Sequence, residues 1–235
     1  MTTLNQLTYD LHELVRQNLV QDDYIDSREI QYWVHTQRAL WLRNALAKGN
    51  GIDDVMTQTL GCVDLALTDA SECCNELVGC KILRSVNKIP TPLSVNGDEV
   101  ITRVAPINII SRPFSHVSYA RAIHSGNGRF NNHTIFSFLR NDYLWLITKK
   151  VDTSYLGLDI VSLSGIFEDP TQAKTFVNCS GTSCYSDDDA YPVPANFIDY
   201  IKAEILKSSL MTKIRGVKDE KNDYNFQPSQ QPLNK

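Results

Sequence analysis

Residues 165–206 read GIFEDPTQAKTFVNCSGTSCYSDDDAYPVPANFIDYIKAEIL, and the local grammar changes repeatedly along them. A β-type run ends at Phe167. Asp169-Pro170 then supplies a capping residue and a proline at the first helical position, which predicts a short helix over Thr171 to Val177. Cys179 and Cys184 bracket a Gly/Ser turn, and the acidic run Asp187-Asp188-Asp189 leads into a proline-started segment from Pro194 to about Leu210. In that segment Phe197, Ile198, Ile201, Ile205 and Leu206 fall on one helical stripe, and the upstream negative charge favours a helix start. A strand that ends where helices resume points to an α+β fold with a sheet inserted between helical parts.

The other helical part opens the chain. Leu4, Leu7, Leu11 and Leu14 alternate three- and four-residue steps, Val15 widens the stripe, and Thr3 with Gln6 offers a capping box. The polar break Gln21-Asp22-Asp23 ends this helix. Asp26 caps a second helix, answered by Glu29, with Ile30, Trp33, Val34, Leu40, Trp41 and Ala45 on one face and Lys48-Gly49 as its stop. The two helices are expected to pack as an antiparallel hairpin. Trp33 and Trp41 read as core, with the alternative that part of their face is buried against a neighbouring copy. Arg28, Arg38, Arg43 and Lys48 read as solvated charges, or as partners for acidic groups on another subunit.

Between these parts the period shifts toward two. Thr57 to Leu67 reads as a strand with an irregularity near Gly61, and Lys81 to Ile89 as another, stopped by Pro90 and Pro92. Asn96-Gly97-Asp98 is a turn before Val100 to Val104, and Arg140-Asn141-Asp142 turns a hairpin of Thr134 to Leu139 with Tyr143 to Thr148. A last strand is expected over Leu156 to Phe167, so that Leu83 to Phe167 forms a small antiparallel sheet. The resulting division is a helical hairpin (1–55), a mainly β region (56–168), a C-terminal helical part completing the core (169–215) and a flexible tail (216–235). The tail is polar, with Tyr224 and Phe226 as aromatic anchors able to fasten one subunit to another; an inert terminus is the alternative.

Composition narrows the function. Hydrophobic residues make up 42% and charged residues 21% of the 235, which is ordinary for a globular chain. The net charge of −4 argues against a protein that grips nucleic acid by neutralising phosphates. No apolar run reaches the roughly 18 residues of a membrane span, and the N-terminus lacks the basic start and apolar core of a signal peptide, so export by the usual route is not expected. The six cysteines contain no Cys-x-x-Cys pair, and a reducing cytoplasm is the default during folding.

Candidate chemistry is sparse. Cys73, Cys74 and Cys80 precede the sheet and Cys179 and Cys184 follow it, so the two groups could meet as a four-thiolate zinc site; their spacings fit structural zinc poorly, and buried free thiols or local disulfides explain them with less. His116, His124 and His133 have no Gly-x-Ser-x-Gly or His-Glu-x-x-His context. Gly126-Asn127-Gly128 reads as a turn rather than a phosphate loop. Asp187 to Asp189 lacks the spaced oxygens of a calcium loop. No catalytic, cofactor or metal residue is expected.

Several motifs together nonetheless carry a likeness. TLNQLTYDLHELVRQNL, QYWVHTQRALWLRNAL, DASECC, GCKILRSVNKIP, SGNGRF, GIFEDPTQA and CYSDDDAYPVPANFIDYIKAEIL resemble a structural protein family of crAss-like bacteriophages, over nearly the whole chain as far as about Lys207. That family forms the ring beneath the portal in the head-to-tail connector. The resemblance implies a virion protein that is not an enzyme, assembled in the host cytoplasm into a homo-oligomeric, dodecameric ring around the DNA exit channel. Its implied partners are the portal protein, neighbouring copies of itself and the next tail ring; genomic DNA passes through without specific binding, and no membrane is involved. It also implies a helical adaptor core. The alternatives are another ring of the same tail, or a virion-associated hydrolase using Asp187, Asp188 and a histidine.

Overall fold

The computed structural model describes residues 2–18, 25–73, 81–107, 112–122, 124–125, 131, 133–149 and 153–210. Helix α1 (Leu4–Asn18) buries Leu4, Leu7, Leu11 and Val15 along the stripe that the sequence marks. Its start is a reciprocal capping box: the Gln6 amide donates to Thr3 Oγ1 and the Thr3 amide to Gln6 Oε1, each at 3.2 Å. Helix α2 (Ser27–Ala47) is capped by Asp26 and stops at Gly49, whose φ of +82° suits glycine. There the Gly49 and Asn50 amides donate back to Leu46 and Ala45 carbonyls, closing the helix C-terminus.

Helix α5 (Ala195–Ile205) continues as a π-type turn, Leu206–Leu210, and buries Ile198, Ile201 and Ile205 against α1 and α2. Trp33 and Trp41 are half-buried in this helical core, and the Trp41 ring lies 3.6 Å from that of Phe197. A second apolar group joins the helices to the sheet: Ala39 and Leu42 of α2 pack with Met56, Leu93 and Ile166.

The sheet is larger than the alternation suggests. Strands β1 (Gln58–Asp69), β2 (Lys81–Ser85), β5 (Ile101–Pro106), β6 (Ser115–His116), β7 (Phe136–Arg140), β8 (Tyr143–Ile147) and β9 (Ile160–Gly165) form seven strands in the order β5-β9-β1-β2-β8-β7-β6. The Phe114 amide donates to the Val104 carbonyl at 2.7 Å, drawing the two edges together into a nearly closed barrel. Its interior is filled by Leu60, Val63, Leu83, Val104, Leu144, Leu146, Val161, Leu163 and Phe167. Strands β3 (Ser94–Val95) and β4 (Asp98–Glu99) make a separate hairpin, turned by Asn96 and Gly97 at φ +53° and +88°. Asn141 and Asp142, at φ +54° and +66°, turn the β7–β8 hairpin.

Several expectations are corrected here. The sheet begins at Gln58 rather than Leu83, because β1 pairs along its first part with β9 and along its second with β2. It is not wholly antiparallel, since β6 runs parallel to β7. Strand β2 ends at Ser85, not Ile89: the Ser85 hydroxyl donates to the Asn87 carbonyl and accepts from the Leu144 amide, turning the chain out of the ladder. Leu156 belongs to a helical turn, α4 (Thr153–Leu156), and not to a strand. Tyr155 fixes that turn beneath the sheet by donating its hydroxyl to the Leu146 carbonyl at 2.7 Å and accepting from the Leu83 amide at 3.1 Å. The segment after Asp169 is a tight 3-10 helix, Pro170–Thr175, capped by the Asp169 carboxylate on the Thr171 amide at 2.8 Å. A further short helix, α3 (Tyr119–Ala122), lies against β7.

Candidate functional site

Arg38 occupies the middle of the stripe Ile30, Val34, Leu42 on α2, and it is neither solvated nor aimed at a partner: its exposure is 0%. Nε donates to the Pro192 carbonyl at 2.9 Å and Nη1 to the Phe167 carbonyl at 2.8 Å. One guanidinium thus ties the second helix to the end of the barrel and to the strap that leads into α5. Tyr191 packs beside it, with the guanidinium carbon 5.8 Å from the ring centre. One helical turn earlier, His35 shares a 3.0 Å hydrogen bond with the Tyr191 hydroxyl through Nδ1 and lies 3.7 Å from Asp169 through Nε2. Arg43, also expected to be solvated, forms an ion pair with Glu168 on the same corner.

Burial sets the electrostatics of this joint. It pushes the Tyr185 and Tyr191 phenols well above their ordinary range, and it lowers both Arg38 and His35, the latter despite the opposing pull of Asp169. For His35 the nearby Arg38 and Lys174 charges act in the same direction as burial, while Asp187 opposes them. The imidazole is therefore neutral in the folded protein at pH 7. Because its folded pKa lies below the unfolded value of about 6.5, the unfolded chain binds the proton first as pH falls. Stability is then lost progressively from about pH 6.5 down to the folded pKa. Urea unfolding midpoints between pH 7.5 and 5 should decline less in His35→Gln than in the wild type; equal declines would exclude His35 as the source.

The acidic run serves α1 rather than α5. Asp187 pairs with Lys174 at 2.5 Å, Asp188 accepts from the Asn5 side-chain amide at 2.8 Å, and Asp189 accepts from the Ser186 amide at 2.7 Å. The Asp187 carbonyl also accepts from the Asn5 backbone amide, and the Tyr191 amide donates to the Thr2 carbonyl, so the run is stitched to the first turn of α1. Helix α5 starts at Pro194 with no side-chain cap.

His116 lies in an open cleft of about 570 Å³ that is also lined by Glu99, Tyr119 and Arg121. Ser137 Oγ is 3.2 Å from His116 Nδ1, and Glu99 is 3.5 Å from Nε2. The residue types are those of a hydrolase triad, although serine and carboxylate meet the opposite imidazole nitrogens from the usual arrangement and no motif announces it. Ser137, however, sits inside strand β7 with 0% exposure, and a nucleophile must reach its substrate. The three side chains instead brace β4, β6 and β7 against one another. His124 and His133 take no part in this group.

The cysteines meet differently from the expected grouping. Cys179 is bonded to Cys62, which belonged to neither group, with Cα atoms 5.3 Å apart and 117 residues between them in sequence. The bond is therefore not local. It pins the Gly/Ser turn to β1 at the register shift between Leu60 and Val63. Cys73 is buried, and Cys184 is a free thiol that donates to Asn178 Oδ1 at 3.3 Å. Cys74 and Cys80 lie outside the described residues, among which no His/Cys/Asp/Glu group could hold a metal ion. The Gly126-Asn127-Gly128 turn, Tyr224 and Phe226 also lie outside them.

The family model for phage tail ring protein 2, from crAss-like phages, matches residues 6–231. The chain belongs to that family. No curated protein matches it. A phage tail ring protein is a structural component of the virion that assembles with copies of itself and with other tail components. In this ring protein, no helix among the described residues is long and apolar enough to cross a membrane. The burial of Arg38 is the feature of this joint most open to sequence reading: a charge at the centre of an apolar i, i+4 stripe is a signal of burial, not of solvation.

Proposed function

We propose that this ring protein forms a dodecamer in the head-to-tail connector, seated below the portal and surrounding the channel through which the genome leaves. The family match across residues 6–231 supports the tail-ring part of this reading. The net charge of −4 supports it, because an overall negative balance suits a channel through which duplex DNA must slide without being held by phosphate-binding cations. Closed cyclic symmetry requires two different complementary faces on each subunit. In this reading the C-terminal tail, through Tyr224 and Phe226, fastens the subunit to the portal or to a neighbouring copy.

Measuring the mass of the protein with and without portal tests the assembly step. The expected result is a monomer or weak oligomer alone and a twelvefold complex on the portal; a complex of another copy number removes the dodecamer, and no complex removes the portal contact. Truncation after Gly216 should leave unfolding unchanged and reduce ring attachment at least tenfold. Normal virion assembly by the truncated protein would show that the tail is dispensable. Another ring position in the same tail is the second reading, distinguished by imaging where the chain lies in intact particles.

A further inference from the structure

Helix α2 turns two large apolar side chains away from the core. Tyr32 is 67% and Leu40 50% exposed, eight residues apart and so on one side of the helix, and Arg28 stands one turn before Tyr32. Arg28 has no carboxylate within ion-pair distance among the described residues, whereas Arg43 is paired with Glu168 and the neighbouring Glu29 is engaged elsewhere. The far end of the barrel carries a surface of the other sign. There the Val86 amide donates to the Asp64 carbonyl at 2.9 Å and the Leu65 amide to the Asp159 carbonyl at 2.7 Å, which holds Asp64, Val86 and Asp159 together. Leu156 precedes Asp159 by three residues, in the turn that the Leu158 amide closes on the Tyr155 carbonyl at 3.2 Å. Val86 and Leu156 are 49% and 48% exposed, and both carboxylates are exposed with no cation within ion-pair distance among the described residues. The cations on the β2 side, Arg84 and Lys88, are already paired with Glu72 and Asp142.

We propose that the corner formed by Asp64, Val86, Leu156 and Asp159 of one copy docks on the Arg28, Tyr32 and Leu40 face of α2 in the next copy, and that this contact closes the ring. The proposal rests on the ring reading and names the two complementary faces it requires. The β1–β9 ladder keeps them apart: it runs from Gln58 opposite Gly165 to Asp64 opposite Ile160, about 20 Å of strand. Ile166, just past the Gly165 end, packs with Ala39 and Leu42 of α2, whereas Asp64 and Asp159 stand at the other end. Each copy can therefore hold two neighbours at once, as a head-to-tail ring needs. Charge selects the unlike pairing. Two acidic corners would bring four carboxylates together, and two α2 faces would oppose their Arg28 side chains; corner against α2 joins opposite charges and covers four exposed apolar side chains.

Thiol cross-linking of assembled particles tests this, with the Leu40→Cys, Leu156→Cys double variant of the full chain and a short bismaleimide. Both positions are exposed, so neither substitution should disturb folding. The expected result is a ladder of cross-linked chains that extends beyond dimers and is absent from either single variant. Particles with a normal content of the chain and no such ladder overturn the proposal. Dimers from Leu40→Cys alone, which would set α2 against α2, or a cross-link from that position to the portal, overturn it as well. A ladder in rings of another copy number, or elsewhere in the tail, supports the contact and removes only the dodecamer or its place. Charge reversal is the second test: Arg28→Glu should cut the recovery of rings at least tenfold, and adding Asp64→Arg or Asp159→Arg should restore most of it. Unchanged recovery in Arg28→Glu, or a loss that neither reversal repairs, overturns the pairing.

Discussion

Replacing Arg38 by alanine should destabilise the fold by about 3–5 kcal/mol, the sum expected from two buried carbonyls left without donors and a new cavity. Two carbonyls, of Pro192 and Phe167, would lose their donors in a site closed to water, and each buried unsatisfied group adds roughly 1–3 kcal/mol. The emptied volume beside Tyr191 adds a cavity cost. Arg38→Lys should recover little, because an ammonium cannot reproduce a planar fork that reaches two carbonyls in different segments. Arg38→Met fills the space without the hydrogen bonds, so the difference between Met and Ala separates packing from polar contacts. Urea unfolding at pH 7 measures all three. A loss below about 1 kcal/mol in Arg38→Ala would mean that the guanidinium does not clamp the joint.

Cys62→Ser should have an effect of comparable size. The Cys62–Cys179 bond closes a loop of 117 residues, and chain-entropy arguments assign about 4–5 kcal/mol to loops on that scale. The oxidised wild type should therefore unfold at a markedly higher denaturant concentration than Cys62→Ser, and added reductant should bring the two together. Thiol titration of the unfolded, unreduced chains should find one more free thiol in Cys62→Ser than in the wild type, because the substitution releases Cys179. Equal midpoints, with one free thiol fewer in Cys62→Ser than in the wild type, would remove the bond. Cys184→Ser serves as the control, since Cys184 is a free thiol whose noted contact is to Asn178.

What the sequence made legible was local chemistry. The capping box at Thr3 and Gln6, the glycine stop at Gly49, the Asp169-Pro170 start and the Asn141-Asp142 turn each depend on a few neighbouring residues, and each is found in place. The mixed α+β class followed from the same signals. What escaped was long-range. Strands of two residues such as β6 have no periodicity to read, and their parallel pairing is decided by segments far apart in the chain. The partner of Cys179 lay 117 residues away. Asp187 to Asp189 was assigned to the nearest following helix, whereas the fold brings the first turn of α1 to it. Arg38 was misread for another reason: residue type was weighed above position, although its place between Val34 and Leu42 on the buried stripe outweighs the charge.

The near closure of the barrel limits how copies of this protein can meet. Strands β5 and β6, which would be the free margins of an open sheet, face each other through the Phe114 to Val104 contact. That contact already occupies the Val104 carbonyl, which shortens the row of free backbone groups an incoming chain could extend there. Among the described residues this disfavours strand-to-strand extension at those two margins and favours recognition between neighbours through side chains, helices and loops.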